Sequence, residues 1–143
     1  MRILGIDPGS RKTGWAVVEK KGRSFKAIDS GLLRFDGEKE FLKRLGLIYQ
    51  ACLDLSQIYK PEYVALESLI YVKSVTSLSK LAQARGAMVA AFSKNHLGSI
   101  YEYSPNLVKS TISGHGHSSK ESVEKALGFL LGSEIKNKNF ESD

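Results

Sequence analysis

The chain has 143 residues, a length suited to one domain, and its 42% hydrophobic and 25% charged content is that of an ordinary globular fold rather than a disordered or fibrous chain. No apolar run is long enough to cross a bilayer, which argues against a membrane span. The net charge of +6 points toward a polyanionic partner, although a solvated basic surface has the same sum.

The first element predicted is a buried strand over residues 2–7, Arg2-Ile3-Leu4-Gly5-Ile6-Asp7, which stops on an acid. Pro8-Gly9 turns the chain there and leaves the Asp7 carboxylate at the strand's end, on the face shared with Gly5 and Ile3. An acid in that place is costly unless solvated, paired or bound to a metal. Two readings stand at this point: Asp7 as a metal ligand, and Asp7 as the cap of the following turn.

Residues 13–20 and 25–35 read as two further strands, and their short connections make the first three an antiparallel meander. A helix follows over 39–59, with Phe41, Leu45, Ile48, Cys52 and Leu55 recurring at three- and four-residue steps, and Pro61 ends it. Residues 63–67 form a fourth strand that again finishes on an acid, Glu67. A second helix is predicted over 74–95, with one face rich in Ala82, Ala84, Gly86, Ala87, Ala90 and Ala91. A fifth strand over 98–103 and two short helices over 106–111 and 118–131 complete the order.

This order implies an α/β fold: a five-stranded mixed sheet flanked by helices on both faces. The right-handed crossover rule makes the first and fourth strands parallel neighbours. Asp7 and Glu67 then share the carboxyl end of the sheet, where open α/β sheets keep their sites. Two carboxylates so placed repel each other unless a cation lies between them, and hard oxygen ligands suit Mg²⁺ or Mn²⁺. A further acid is needed to hold two ions, and Glu141 and Asp143 are the candidates.

The lone cysteine, Cys52, permits no intramolecular disulfide and falls on an apolar helix face, which makes it core. The N-terminus lacks the apolar region of a signal peptide, so a cytoplasmic protein is expected. Charge is uneven: residues 71–120 hold six Lys and Arg against one acid, Glu102. His115 and His117 lie in a Gly-His-Gly-His loop without the further ligands a zinc site needs, so backbone contact with DNA is the better reading.

Gly5-Ile6-Asp7-Pro8-Gly9-Ser10 with Thr13-Gly14 resembles the opening motif of the bacterial RuvC-type Holliday-junction resolvases. Glu67, then Ser77, Lys80-Leu81 and Gln83-Ala84-Arg85-Gly86, resembles that family's second block. Tyr103-Ser104-Pro105 with Val108-Lys109, then Gly114-His115-Gly116 with Lys120 and Val123, resembles the third. Any one block is weak, since the first is also similar to phosphate-binding loops of actin-like kinases. A kinase of that kind needs a second lobe, for which 143 residues leave no room.

The resemblance implies one RNase H-like nuclease domain across residues 1–143, a homodimer, and two-metal nicking of opposed strands in a four-way DNA junction. It implies that Asp7 bridges two Mg²⁺ ions, that Glu67 holds one, and that Asp143 fits the first of two acids on a C-terminal helix. That helix is expected to be incomplete, so a junction-binding protein without cleavage activity is the alternative. Lys109 and Lys120 fall where the family places lysines near the scissile phosphate, and either has a plain phosphate contact as its bland reading. Arg11, Lys12, Lys73, Lys80 and Arg85 are the other expected DNA contacts, with dimer packing open for Arg85. Ile70 or Tyr71 takes the place of the family's base-wedging aromatic. A branch-migration helicase is the further partner implied.

Overall fold

The computed structural model describes residues 1–69, 74–96 and 99–104. Its elements are β1 (Arg2–Asp7), β2 (Lys12–Lys21), β3 (Ser24–Arg34), α1 (Phe41–Tyr59), β4 (Tyr63–Glu67), α2 (Val75–His96) and β5 (Ile100–Tyr103). The expected short helices over 106–111 and 118–131 lie outside the described residues.

The five strands form one sheet in the order β3-β2-β1-β4-β5. β1, β2 and β3 pair antiparallel as a meander, and the turn between β2 and β3 uses Gly22 at φ 60°. β1 then pairs parallel with β4, and β4 with β5, so the sheet is mixed and the expected neighbours are neighbours. A bulge between Val17 and Val18 shifts the register of β2 against β3.

Pairing partners share a face, so Leu4, Ile6, Val17, Val64 and Leu66 all point to one side of the sheet. That side is covered by Ile48, Cys52 and Leu55 of α1 and by Ala84, Met88, Ala91 and Phe92 of α2. The opposite face of β1, β4 and β5 carries Asp7, Ala65, Glu67, Tyr63, Tyr101 and Tyr103. Among the described residues no helix covers this second face.

α2 departs from expectation in one respect. Its small residues do not make one face: Ala84 and Ala91 are buried, while Ala82, Gly86 and Ala90 are exposed. Positions two apart on a helix are separated by about 200°, so the 82/86/90 row and the 84/88/91 row look in opposite directions. α1 begins at Phe41 rather than at residue 39, and it buries an unforeseen cation. Arg44 is 7% exposed, and its Nε and Nη2 donate to the Glu38 carbonyl at 3.2 and 2.9 Å. The helix ends as the proline suggests: Lys60, before Pro61, turns left-handed at φ 47° and returns its N–H to Ser56 O at 3.1 Å.

The far end of α1 is fastened to the meander by Trp15 and Tyr59, whose ring centroids are 5.3 Å apart, and by a Tyr59 hydroxyl donating to Asp29. Gly31 lies beneath the indole, where an added Cβ would meet Trp15 Cε2, Cζ2 and Nε1 at 2.9 Å. Gly31→Ala is therefore expected to cost about 1–3 kcal/mol, read as a lowered melting temperature. Gly37→Ala, with nothing within 4 Å of its new Cβ, should stay within about 0.5 kcal/mol of the parent. Burial pushes the Cys52 thiol up to about 12, so below that pH it stays protonated. Native protein at pH 8 should resist alkylation by iodoacetamide, and denatured protein should react at once.

Candidate functional site at the carboxyl end of the sheet

β1 and β4 run in register, with Leu4 opposite Val64 and Ile6 opposite Leu66. Asp7 and Glu67 each follow the last of these pairs. Alternation turns both away from the buried Ile6 and Leu66, onto the same face of strands about 4.8 Å apart. Both residues are half-buried. Two adjacent carboxylates on one sheet face make a harsh site for any anion and a suitable one for a hard divalent cation.

The loop after Asp7 is held from within. Thr13, fully buried, donates its hydroxyl to Gly9 O at 3.0 Å and accepts from Gly9 N at 3.3 Å. A Cβ on Gly9 would sit 2.0 Å from Lys12 O, so only glycine fits that approach. Phe35 N donates to Arg11 O at 2.7 Å and ties the loop to the end of the meander. Arg11 is exposed on this loop and Lys12 is half-buried.

α1 and α2 both start at this end of the sheet, so both present their positive N-termini toward it. Ser74 caps α2, its Oγ accepting from Ser77 N at 3.2 Å. Neither helix carries an acid in its first turn. The two starts are pinned together at Phe41, with Lys80 Nζ 5.7 Å and the Arg44 guanidinium 5.9 Å from its ring centroid.

Arg85, expected at DNA or at a dimer contact, has intramolecular partners. Its Nε donates to the Glu67 carbonyl at 3.2 Å and its Nη2 to Glu102 Oε1 at 2.6 Å, and its side chain is only 11% exposed. Glu102, the one acid of the basic stretch, is the partner that composition alone could have singled out. Thr13 and Arg44 carried no such signal, because their roles depend on contacts across the fold.

Among the described residues no three His, Cys, Asp or Glu side chains gather into a metal-holding group. Asp7 and Glu67 supply two donors; Glu141 and Asp143 lie outside the described residues, as do Ile70, Tyr71, Lys73, Lys109, His115, His117 and Lys120.

The family model for "Crossover junction endodeoxyribonuclease RuvC" matches residues 3–141 of the chain. The chain belongs to the RuvC family. A RuvC from Thermosipho melanesiensis is 40% identical over 131 residues, covering 92% of this chain and 83% of the relative. One from Brachyspira hyodysenteriae is 37% identical over 135 residues, covering 94% and 84%. Among solved structures, Thermus thermophilus RuvC in complex with a Holliday junction superposes with a TM-score of 0.85 at 28% identity, over 99% of this chain and 85% of that one. A yeast mitochondrial Holliday junction resolvase, 14% identical with a TM-score of 0.65 over 95% of this chain and 64% of that one, shares the fold. The sheet is thus the RNase H-like sheet of RuvC, and the family is one of nucleases that need a divalent metal.

The loop geometry makes Thr13 testable. Thr13→Val keeps the shape but removes the hydroxyl that grips Gly9 on both sides. It should lower stability by about 1–3 kcal/mol in thermal unfolding. It should also speed proteolysis within residues 8–12.

Proposed function

We propose that this chain is a crossover junction endodeoxyribonuclease that nicks opposed strands of four-way DNA junctions by metal-dependent phosphodiester hydrolysis. The observation that carries this reading is the placing of two acids, Asp7 and Glu67, each just past the last registered pair of β1 and β4, at the carboxyl end of a RuvC-family sheet.

In this reading Asp7, Glu67 and Asp143 would hold two Mg²⁺ ions, with Mn²⁺ as a substitute, and the ions would supply charge stabilisation to the attacking and leaving oxygens of the phosphodiester. Lys109 and Lys120 neutralise charge that develops on the phosphate. Arg11, Lys12, Lys73 and Lys80, with His115 and His117, hold the DNA backbone, and Ile70 or Tyr71 wedges against bases near the crossover. The active unit is a homodimer, since two opposed strands need two sites, and a branch-migration helicase is its working partner. The exposed Arg11 beside Asp7 and the two helix N-termini at the same end support a phosphate path across the site.

Asp7→Asn should bind a synthetic four-way junction as tightly as the parent and lose metal-dependent nicking altogether. Nicking that survived the change would sink the metal assignment. The parent should prefer the junction to linear duplex at matched salt, and equal affinity would reduce it to a general DNA binder. Activity should vanish with EDTA, return with Mg²⁺ or Mn²⁺, and fall as acid protonates the carboxylate ligands.

A further inference from the structure

We infer that Arg85 is a positioning residue for the Glu67 carboxylate, and that Glu102 serves to hold Arg85 in that role. This rests on the reading of Glu67 as a metal ligand.

The argument concerns one peptide unit, the link from Glu67 to Ser68. Its carbonyl accepts from Arg85 Nε at 3.2 Å. Its N–H, on Ser68, donates to Tyr103 O at 2.9 Å. Both polar ends of the plane are therefore fixed, one by α2 and one by β5. Because the ladder already holds Leu66 on the other side, fixing that plane fixes the rotation about the Cα–C bond of Glu67, and with it the direction of the Cα–Cβ bond.

The anchors are themselves joined. Arg85 Nη2 meets Glu102 Oε1 at 2.6 Å, and Glu102 directly precedes Tyr103 on β5. The contacts make a closed ring: Glu67 to Arg85, Arg85 to Glu102, Tyr103 to Ser68. The helix that carries Arg85 is held on the sheet by its neighbours Ala84 and Met88, both fully buried. A guanidinium with its fork fixed at two points and only 11% of its surface exposed has little freedom left. β4 ends at Glu67, so past this residue the ladder no longer positions the chain. The ring supplies order at the point where the strand stops supplying it.

Residues that orient a metal ligand from behind typically alter metal affinity by about 10- to 100-fold when removed. Arg85→Gln should thus weaken Mn²⁺ binding by about tenfold or more, read by the free Mn²⁺ resonance on the full chain without DNA. In metal-free protein it should also accelerate hydrogen exchange at the Ser68 amide. Arg85→Lys keeps a charge for Glu102 but cannot also reproduce the Nε contact, so it should fall between parent and Arg85→Gln. Glu102→Gln leaves a neutral acceptor and should give a smaller loss in the same direction.

Ala91→Gly, in the same helix and equally buried, serves as the control for stability alone. It should lower the melting temperature and leave Mn²⁺ affinity and Ser68 exchange unchanged. Glu67→Gln separates the two levels of the claim. If it weakens Mn²⁺ binding while Arg85→Gln and Glu102→Gln do not, the positioning role is wrong. If Glu67→Gln has no effect on Mn²⁺ binding, the underlying assignment of Glu67 is wrong instead. Should Arg85→Gln not fold, Glu102→Gln decides, because it weakens the anchor without removing the buried guanidinium.

Discussion

When β1 and β4 pair in parallel with Leu4 against Val64 and Ile6 against Leu66, two acids are carried past the end of the pairing on the same face. Nothing in the formation of the sheet favours that outcome. Carboxylates at neighbouring strand ends repel each other. The apolar residues just behind them provide the register that keeps them there. A slip of one residue would turn Leu4 and Ile6 out of the core and Asp7 into it. The hydrophobic packing of one face thus fixes the acidic arrangement of the other.

Local devices then preserve that arrangement where the strands give out. After Asp7, the Thr13 hydroxyl holds Gly9 from both sides, at a spacing that leaves no room for a side chain. After Glu67, the Ser68 amide is tied to β5 and the Glu67 carbonyl to α2. Both solve the same problem, which is to order a turn that begins at a charged residue. They do so with different chemistry: a neutral hydroxyl within a tight loop, and a charged fork reaching between layers.

Much of this was legible in the chain because the signals are short-range. The strand ending on Asp7, the helix steps through Ile48, Cys52 and Leu55, and the proline after α1 each depend on a few adjacent residues. The parallel neighbours β1 and β4 followed from the handedness of crossovers, a rule about topology rather than about any residue. Contacts that cross layers were not legible in this way. Arg85 sits in a basic stretch and reads as a contact for phosphate, yet the fold turns it onto Glu67 and Glu102. Arg44, a helical cation with no local signal of its fate, is buried against Glu38 O. The face of α2 was misread for a related reason. Six small residues in ten positions cannot all share one side of a helix, and Met88 and Phe92, not glycine, complete its packed row.

Charge counting also changes meaning once positions are known. The stretch 71–120 carries six cations and one acid, which suggests a uniformly basic surface for DNA. Among the described residues, two of those cations are engaged within the protein: Arg85 by Glu102, and Lys80 over the Phe41 ring. The two engagements differ in consequence. A cation over an aromatic face keeps its charge for a phosphate nearby, because the ring neutralises nothing. A guanidinium in contact with a carboxylate presents little net field. Lys80 therefore keeps its charge at this end of the sheet, whereas that of Arg85 is offset by Glu102. The lone acid of the basic segment removes one cation from the electrostatic surface, and in exchange that cation fixes the backbone beneath Glu67.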